Sequence, residues 1–357
     1  MKHWHETAAI LDRVYRLGAS GVRSAVATVV RISGSAYRRP GAKFLVTEDG
    51  ATFGGVSGGC LEADVREIAL DVLRKRVPRL VHYDTGSDEE TLWGLGLGCE
   101  GAVDLFVQPA EGAFFAAVSA AARDAIAAST PFAICTALQG EDAGRAVVLA
   151  GGKVSEGANL DGAAVERAAH VLETGESRLE SVASGEVFVD VLHPPPALVV
   201  FGAGDDAQPL VALAAQAGFD VTVVDHRRAF LTAERFPPPA RLVLRRAEDG
   251  VEGLGLGRRH YAVVQTHAMQ HDRDWLHGLM AQPLAYLGLL GPRARKEHIL
   301  QKLGAAQPDR FFAPVGLDLG ADGPEQVAVS IVAEMLAVNA GREPTHLRDK
   351  PGGIHEG

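Results

Sequence analysis

A chain of 357 residues, 47% of them hydrophobic, is long enough to bury a core in each of two domains. Its formal net charge of −10 excludes the basic footprint that non-specific nucleic-acid binding needs, and leaves small molecules and other proteins as partners. The charged opening MKHWHETAAILDRVYRLG lacks the apolar stretch of a signal peptide and no run approaches a membrane span, so a cytoplasmic protein is expected. Cys60, Cys99 and Cys135 form no C-x-x-C pair and no disulfide framework, so each thiol is judged by its surroundings.

Trp4, Ala8, Leu11, Val14 and Leu17 recur at helical spacing, and Gly18 follows as a stop. Residues 25–32 form a β-branched run, and residues 43–47 and 51–53 flank the Glu48-Asp49-Gly50 turn of a hairpin. Between run and hairpin lies the basic, glycine-punctuated loop SGSAYRRPG. The segment GGVSGGC then leads into a helix whose apolar face is Leu61, Val65, Ile68, Val72 and Leu73, which places Cys60 at that helix's N-terminus. A strand over residues 80–83 precedes a second glycine-rich loop carrying Cys99, which runs into a strand at 103–107. Helices over 112–128 and 163–172 and strands over 132–138, 146–149 and 187–192 complete an N-terminal α+β domain spanning residues 1–192.

His193-Pro194-Pro195-Pro196 is a stiff connector, and residues 197–345 read as a Rossmann-like domain with a parallel sheet, followed by a polar tail over 346–357. The domain opens with LVVFGAGDDAQPLVALAAQAGFDVTVVD, in which Gly202, Gly204 and Ala207 have G-x-G-x-x-A spacing and a second apolar run ends at Asp225. The first glycine allows the tight turn, the second a close phosphate approach, and the helix N-terminus offers N–H groups to an anion. Asp205 and Asp206 place carboxylates where a pyrophosphate would sit, which opposes dinucleotide binding. Asp225 suits a ribose hydroxyl, while Arg227 and Arg228 suit a phosphate. Strands over 242–244, 261–265 and 286–289, and helices over 274–280, 294–303 and after Pro324, continue the α/β pattern.

Cys60, preceded by Gly58 and Gly59, has a helix-terminal setting that favours thiolate, against the alternative of a small turn residue. Cys99 has the same glycine company but leads into a strand, and Cys135 belongs to an apolar strand. Arg38, Arg39 and Lys43 form either an anion clamp or a solvated loop face. His267, just past a strand, is an acid, base or metal ligand, or a histidine bonded to its own turn. Arg293 and Arg295 follow the next strand at the same sheet edge.

The segments GSAYRRPGAKFLV, GGVSGGCLEADV, WGLGLGCEG, the Rossmann opening, THAMQHDRDWL, YLGLLGPRAR and APVGLDLGADGPEQVAVSIVAE, in this order over nearly the whole chain, resemble the xanthine dehydrogenase accessory family of XdhC/CoxI type. The resemblance implies a chaperone that binds the molybdenum cofactor, assists its sulfuration by a cysteine desulfurase, and delivers it to a molybdenum hydroxylase. It makes Cys60 and Cys99 the thiols near cofactor or sulfur, and Arg38, Arg39 and Lys43 the contacts to its phosphate. The chain departs from the family at Asp205, where members commonly carry His. The competing expectation is an NAD(P)-dependent oxidoreductase using Gly202, Gly204 and Asp225, with His267 as acid or base. A homodimer is the default assembly.

Overall fold

A computed structural model of the chain describes residues 2–34, 38–84, 101–155, 160–304 and 306–350. It divides between Pro194 and Pro195 into two compact units, Lys2–Pro194 and Pro195–Asp349.

The first unit is built on two antiparallel sheets. One has the order β3-β2-β1-β5-β4, from β1 (Ser24–Gly34), β2 (Lys43–Thr47), β3 (Thr52–Gly54), β4 (Arg79–Asp84) and β5 (Gly101–Pro109). The other has the order β8-β7-β6-β10-β9, from β6 (Phe132–Ala137), β7 (Ala146–Ala150), β8 (Lys153–Val154), β9 (Arg178–Val182) and β10 (Gly185–Leu192). Strand alternation decides what each face covers. Ala25, Ala27 and Val29 of β1 pack on Val65, Ala69 and Val72 of helix α2 (Glu62–Lys75). On the opposite face, Val26 meets Ile10 and Val14 of helix α1 (Lys2–Ala19), and Val30 meets Phe188 and Leu138 of the second sheet. In that second sheet Cys135, Val147 and Val189 pack on helix α4 (Gly162–Thr174). Its other face sets Phe132, Val148 and Leu192 against Trp4 and Leu11 of α1 and Val118 and Ala122 of helix α3 (Gly112–Ala127).

The second unit is one parallel sheet, with the order β13-β12-β11-β14-β15-β16. Its strands are β11 (Ala197–Phe201), β12 (Asp220–Asp225), β13 (Arg241–Leu244), β14 (His260–Val264), β15 (Tyr286–Leu289) and β16 (Phe311–Phe312). Direction of winding reverses between β11 and β14, and ligands of such sheets bind at the carboxyl ends of those strands. Helices α5 (Ala207–Gln216) and α8 (Pro324–Ala340) bury Leu210, Ala214, Ile331 and Met335 on one face, against Leu198 and Val200. On the other, α6 (Met269–Leu279) and α7 (Arg293–Leu303) bury Trp275, Leu276 and Ile299 against Val199 and Phe201. Helix α6 begins before the expected residue 274, because Asp272 is drawn back to the strand end and accepts from Thr266 N at 3.2 Å and Thr266 Oγ1 at 2.5 Å. Strands β8, β9 and β16 were not expected; two are only two residues long, and β9 is a partly exposed edge without clean alternation.

Lys43 does not face outward as an anion clamp. Its ammonium is buried, donates to the Gly41 carbonyl at 2.9 Å and pairs with Asp190 of β10. The second oxygen of Asp190 lies 2.7 Å from His3 Nε2 of α1, so this contact ties the two sheets and the first helix together. Burial opposes the Asp190 charge, but the Lys43 ammonium and the His3 ring beside it outweigh that and hold the carboxyl far below the usual range. Removing one partner of a buried pair strands the other charge, whereas removing both does not. We therefore expect Lys43→Met to lower the urea unfolding free energy by about 3–5 kcal/mol, and Lys43→Met with Asp190→Leu to lose much less. Equal losses in single and double variants would refute the pairing argument.

Candidate functional site

The GGVSGGC turn is held by side chains that lie outside its glycines. Glu62, the first residue of α2, accepts from Val56 N at 3.1 Å and Ser57 N at 2.9 Å, and its other oxygen takes the Ser57 hydroxyl. Ser57 Oγ in turn accepts from Gly59 N and Leu61 N, each at 3.1 Å. Burial opposes ionisation of Glu62, yet the Ser57 bonds prevail and its carboxyl lies below the ordinary value. Gly59 takes a φ of +116°, which an L side chain rarely adopts. Gly58, Gly59 and Cys60 are all exposed on this braced turn. Cys60 stands two residues before the first helical residue, Glu62, and next to the N-cap Leu61.

Arg38 reaches back to α1, where its guanidinium pairs with both oxygens of Glu6, one of them at 3.1 Å. Arg39 is exposed on the same loop. Lys43 points inward, as above, and so does not join the two arginines. Cys99 lies outside the described residues. Cys135 is buried against α4, with Sγ 3.8 Å from the Ala164 carbonyl, and burial pushes its thiol up to about 12.

In the second unit the turn after β11 is pressed against the end of β14. A Cβ at Gly202, whose φ is +114°, would lie 2.6 Å from the Gln265 carbonyl oxygen, so only glycine fits. A Cβ on Gly204 would lie 2.5 Å from Asp206 Oδ1 and 3.9 Å from His267 Cδ2. Asp206 Oδ2 lies 2.8 Å from His267 Nε2, so the ring carries a proton on that nitrogen when the carboxylate is ionised. His267 itself has a φ of +59°, a left-handed backbone that costs a non-glycine residue energy. Arg293 is exposed at the start of α7, on the same carboxyl edge.

Asp225 is not turned toward a ribose. It is buried, and it accepts from Ala203 N at 2.7 Å, Arg227 N at 2.8 Å and the Arg227 guanidinium at 2.8 and 3.0 Å. Burial works against its charge, but the hydrogen bonds from Arg227 and from the Ala203 backbone prevail and lower the carboxyl to about 2. Arg235 Nη2 donates to the Ala203 carbonyl at 3.1 Å and to Asp205 Oδ1 at 2.8 Å. Asp205 and Asp206, expected where a pyrophosphate would sit, thus have Arg235 and His267 as partners, and Asp225, expected at a ribose, has Arg227.

Gln265, Arg235, Ser57 and Glu62 were not singled out from the sequence. Gln265 is the final residue of the expected strand, but nothing in its neighbours marks it. The Ser57–Glu62 spacing resembles a stretched capping box and was the one available sign of bracing.

Residues 198–335 match the XdhC Rossmann domain, and residues 17–84 match the XdhC and CoxI family. A protein of Bacillus subtilis strain 168, named as a probable xanthine dehydrogenase subunit, is 32% identical over 87% of this chain and 92% of its own length. The chain belongs to the XdhC and CoxI family. The molybdenum cofactor insertion chaperone PaoD of Escherichia coli K12 is 24% identical over 96% of this chain and 94% of its own. A crystal structure from Bacillus halodurans, named as a xanthine dehydrogenase, superposes with a TM-score of 0.78 at 28% identity, covering 96% of this chain and 98% of that one.

Two measurements test this geometry. Iodoacetamide at neutral pH should modify exposed Cys60 well before buried Cys135; peptide maps showing Cys135 alkylated first would overturn the placement. Asp225, low in the folded state and near 3.9 unfolded, contributes about 2 kcal/mol that is present above pH 4 and lost as pH falls toward 2. The stability margin of the parent over Asp225→Asn should shrink to roughly half between pH 7 and pH 3. A margin that stays constant over that range contradicts the assignment.

Proposed function

We propose that this protein is a carrier of the molybdenum cofactor: it binds the cofactor, assists its sulfuration by a cysteine desulfurase, and delivers it to a molybdenum hydroxylase such as xanthine dehydrogenase. The observation that carries the reading is Cys60, exposed on a turn that Ser57 and Glu62 brace, in a chain aligned along nearly its whole length with a named molybdenum cofactor insertion chaperone. A thiolate is the soft ligand that molybdenum or a transferable sulfur requires, and glycines on either side of Ser57 leave room for a bulky cargo. Cys99 is assigned as a second thiol for the cargo, with Arg39, and Arg38 where Glu6 yields, as contacts to the cargo phosphate. We place the carrier in the cytoplasm as a homodimer; no helix among the described residues is long and apolar enough to cross a membrane.

The strand order favours a second reading, an oxidoreductase using NAD(P). Against it, the Ala203 N–H that a pyrophosphate would approach already donates to Asp225.

The test is molybdopterin bound per protomer, with activation of an apo-hydroxylase, for the parent and Cys60→Ala, Cys99→Ala and Arg39→Ala. Cys60→Ala should keep its melting temperature and lose activation. Arg39→Ala should weaken cargo binding about ten- to a hundredfold, the worth of one charge-assisted bond. Full loading and activation by all three variants would place the site elsewhere, and a parent that neither loads nor activates would end the carrier reading.

A further inference from the structure

At the carboxyl edge of the parallel sheet a pocket of about 210 Å³ opens between the ends of β11, β14 and β15 and the first turns of α5 and α8. Its walls are Leu210, Leu290, Val327 and Ile331, with Asp206 and His267 at the polar side. Gln265 lines it too, 2% exposed, and among the described residues its Nε2 has no hydrogen-bond partner. A buried amide donor without a partner is destabilising, and an acceptor on a ligand in this pocket would complete it.

The chemistry of the lining narrows the ligand. The volume is below the 300–1,000 Å³ or so that houses a drug-sized molecule, so it suits one ring system and not a whole dinucleotide. Leu and Ile walls suit a flat apolar face, and Gln265 Nε2 calls for an acceptor on the edge. The first turns of α5 and α8 add positive potential that also favours an acceptor. The Asp206 carboxylate at the mouth repels a phosphate or carboxylate, which leaves a neutral acceptor.

We propose that this pocket binds a neutral flat heterocycle bearing a carbonyl, with Gln265 Nε2 donating to that carbonyl and the His267–Asp206 pair at the open edge. Two sources share this chemistry, a pterin and a nicotinamide. Assignment to the pterin of a molybdenum cofactor rests on the carrier reading, whereas the pocket's chemistry does not.

The experiment titrates the full-length protein with free pterin, followed by quenching of its fluorescence, and separately with free nicotinamide by calorimetry. Gln265→Leu keeps the shape but removes the donor, and Val327→Phe fills the mouth from a half-buried position on α8. Gln265→Leu should leave the melting temperature unchanged or raised and weaken binding about tenfold or more, while Val327→Phe should abolish it. Pterin binding with this dependence supports the pterin source, and the same dependence for nicotinamide alone supports the pocket with the other source. No binding of either probe, or binding indifferent to both substitutions, overturns the proposal. Molybdopterin loading is measured on the same variants. A parent that loads while both variants load equally well overturns the assignment of the cofactor's pterin to this pocket and spares the carrier reading; a parent that fails to load but binds pterin through Gln265 ends the carrier reading and spares the pocket.

Discussion

The close crossing of Gly202 over the Gln265 carbonyl governs the geometry of the second unit's sheet edge. The ladder continues through it, with Gln265 N donating to Phe201 O at 2.9 Å and Gly202 N to Val224 O at 2.9 Å, so three strand ends are stitched together just where the winding reverses. A side chain at 202 would push β11 from β14 and separate everything that follows each strand. With the crossing intact, Asp206 comes to His267 across 61 residues of sequence, and Gln265 is carried into the wall of a pocket. His267 then has little choice of backbone: the chain turns sharply toward α6, whose start is fixed by Thr266 and Asp272, and the left-handed φ of His267 is what that turn costs.

Each carboxylate of this sheet edge has a partner from elsewhere in the second unit. Asp205, Asp206 and Asp225 have Arg235, His267 and Arg227 as partners, and Arg227 also lies over the Phe230 ring at 3.9 Å. A dinucleotide phosphate would have to compete with Asp225 for the Ala203 N–H, in a setting where the Arg227 charge already stabilises the carboxylate. The fold that commonly holds a pyrophosphate here holds its own acid in that role. Beside that turn lies the pocket whose walls are apolar and into whose lining the buried Gln265 amide falls.

The elements were legible because apolar residues recur with period 2 or 3.6 wherever one face is buried, as in residues 25–29 or along Leu61, Val65, Val72 and Leu73. The Rossmann turn was legible because glycine spacing reports backbone geometry directly. Partners were not. Lys43 lies 147 residues from Asp190, and Arg38 lies 32 from Glu6, so two members of an apparent basic clamp are engaged by carboxylates that no local pattern connects to them. For the same reason Asp225 read as a ribose ligand: its position after the strand is right, but the direction of its side chain is set by Arg227 and by the backbone of a turn 22 residues earlier. Short edges such as β8 and β16 carry too few residues for any period to register.

The two candidate sites differ in a way that suits a carrier more than an enzyme. An enzyme gains rate by gathering charges aimed at a transition state, whereas a carrier must bind firmly and still let go. Charge-assisted bonds are worth about 1.5–3 kcal/mol each, so three or four on one cargo would slow its release by several orders of magnitude. Here Lys43, Arg38, Arg227 and Arg235 are already paired with carboxylates of the protein. That pairing lowers the number of protein charges left for a cargo in either unit. A cargo held by few such bonds is one that a recipient supplying more of them can draw toward itself without any change in the carrier's fold.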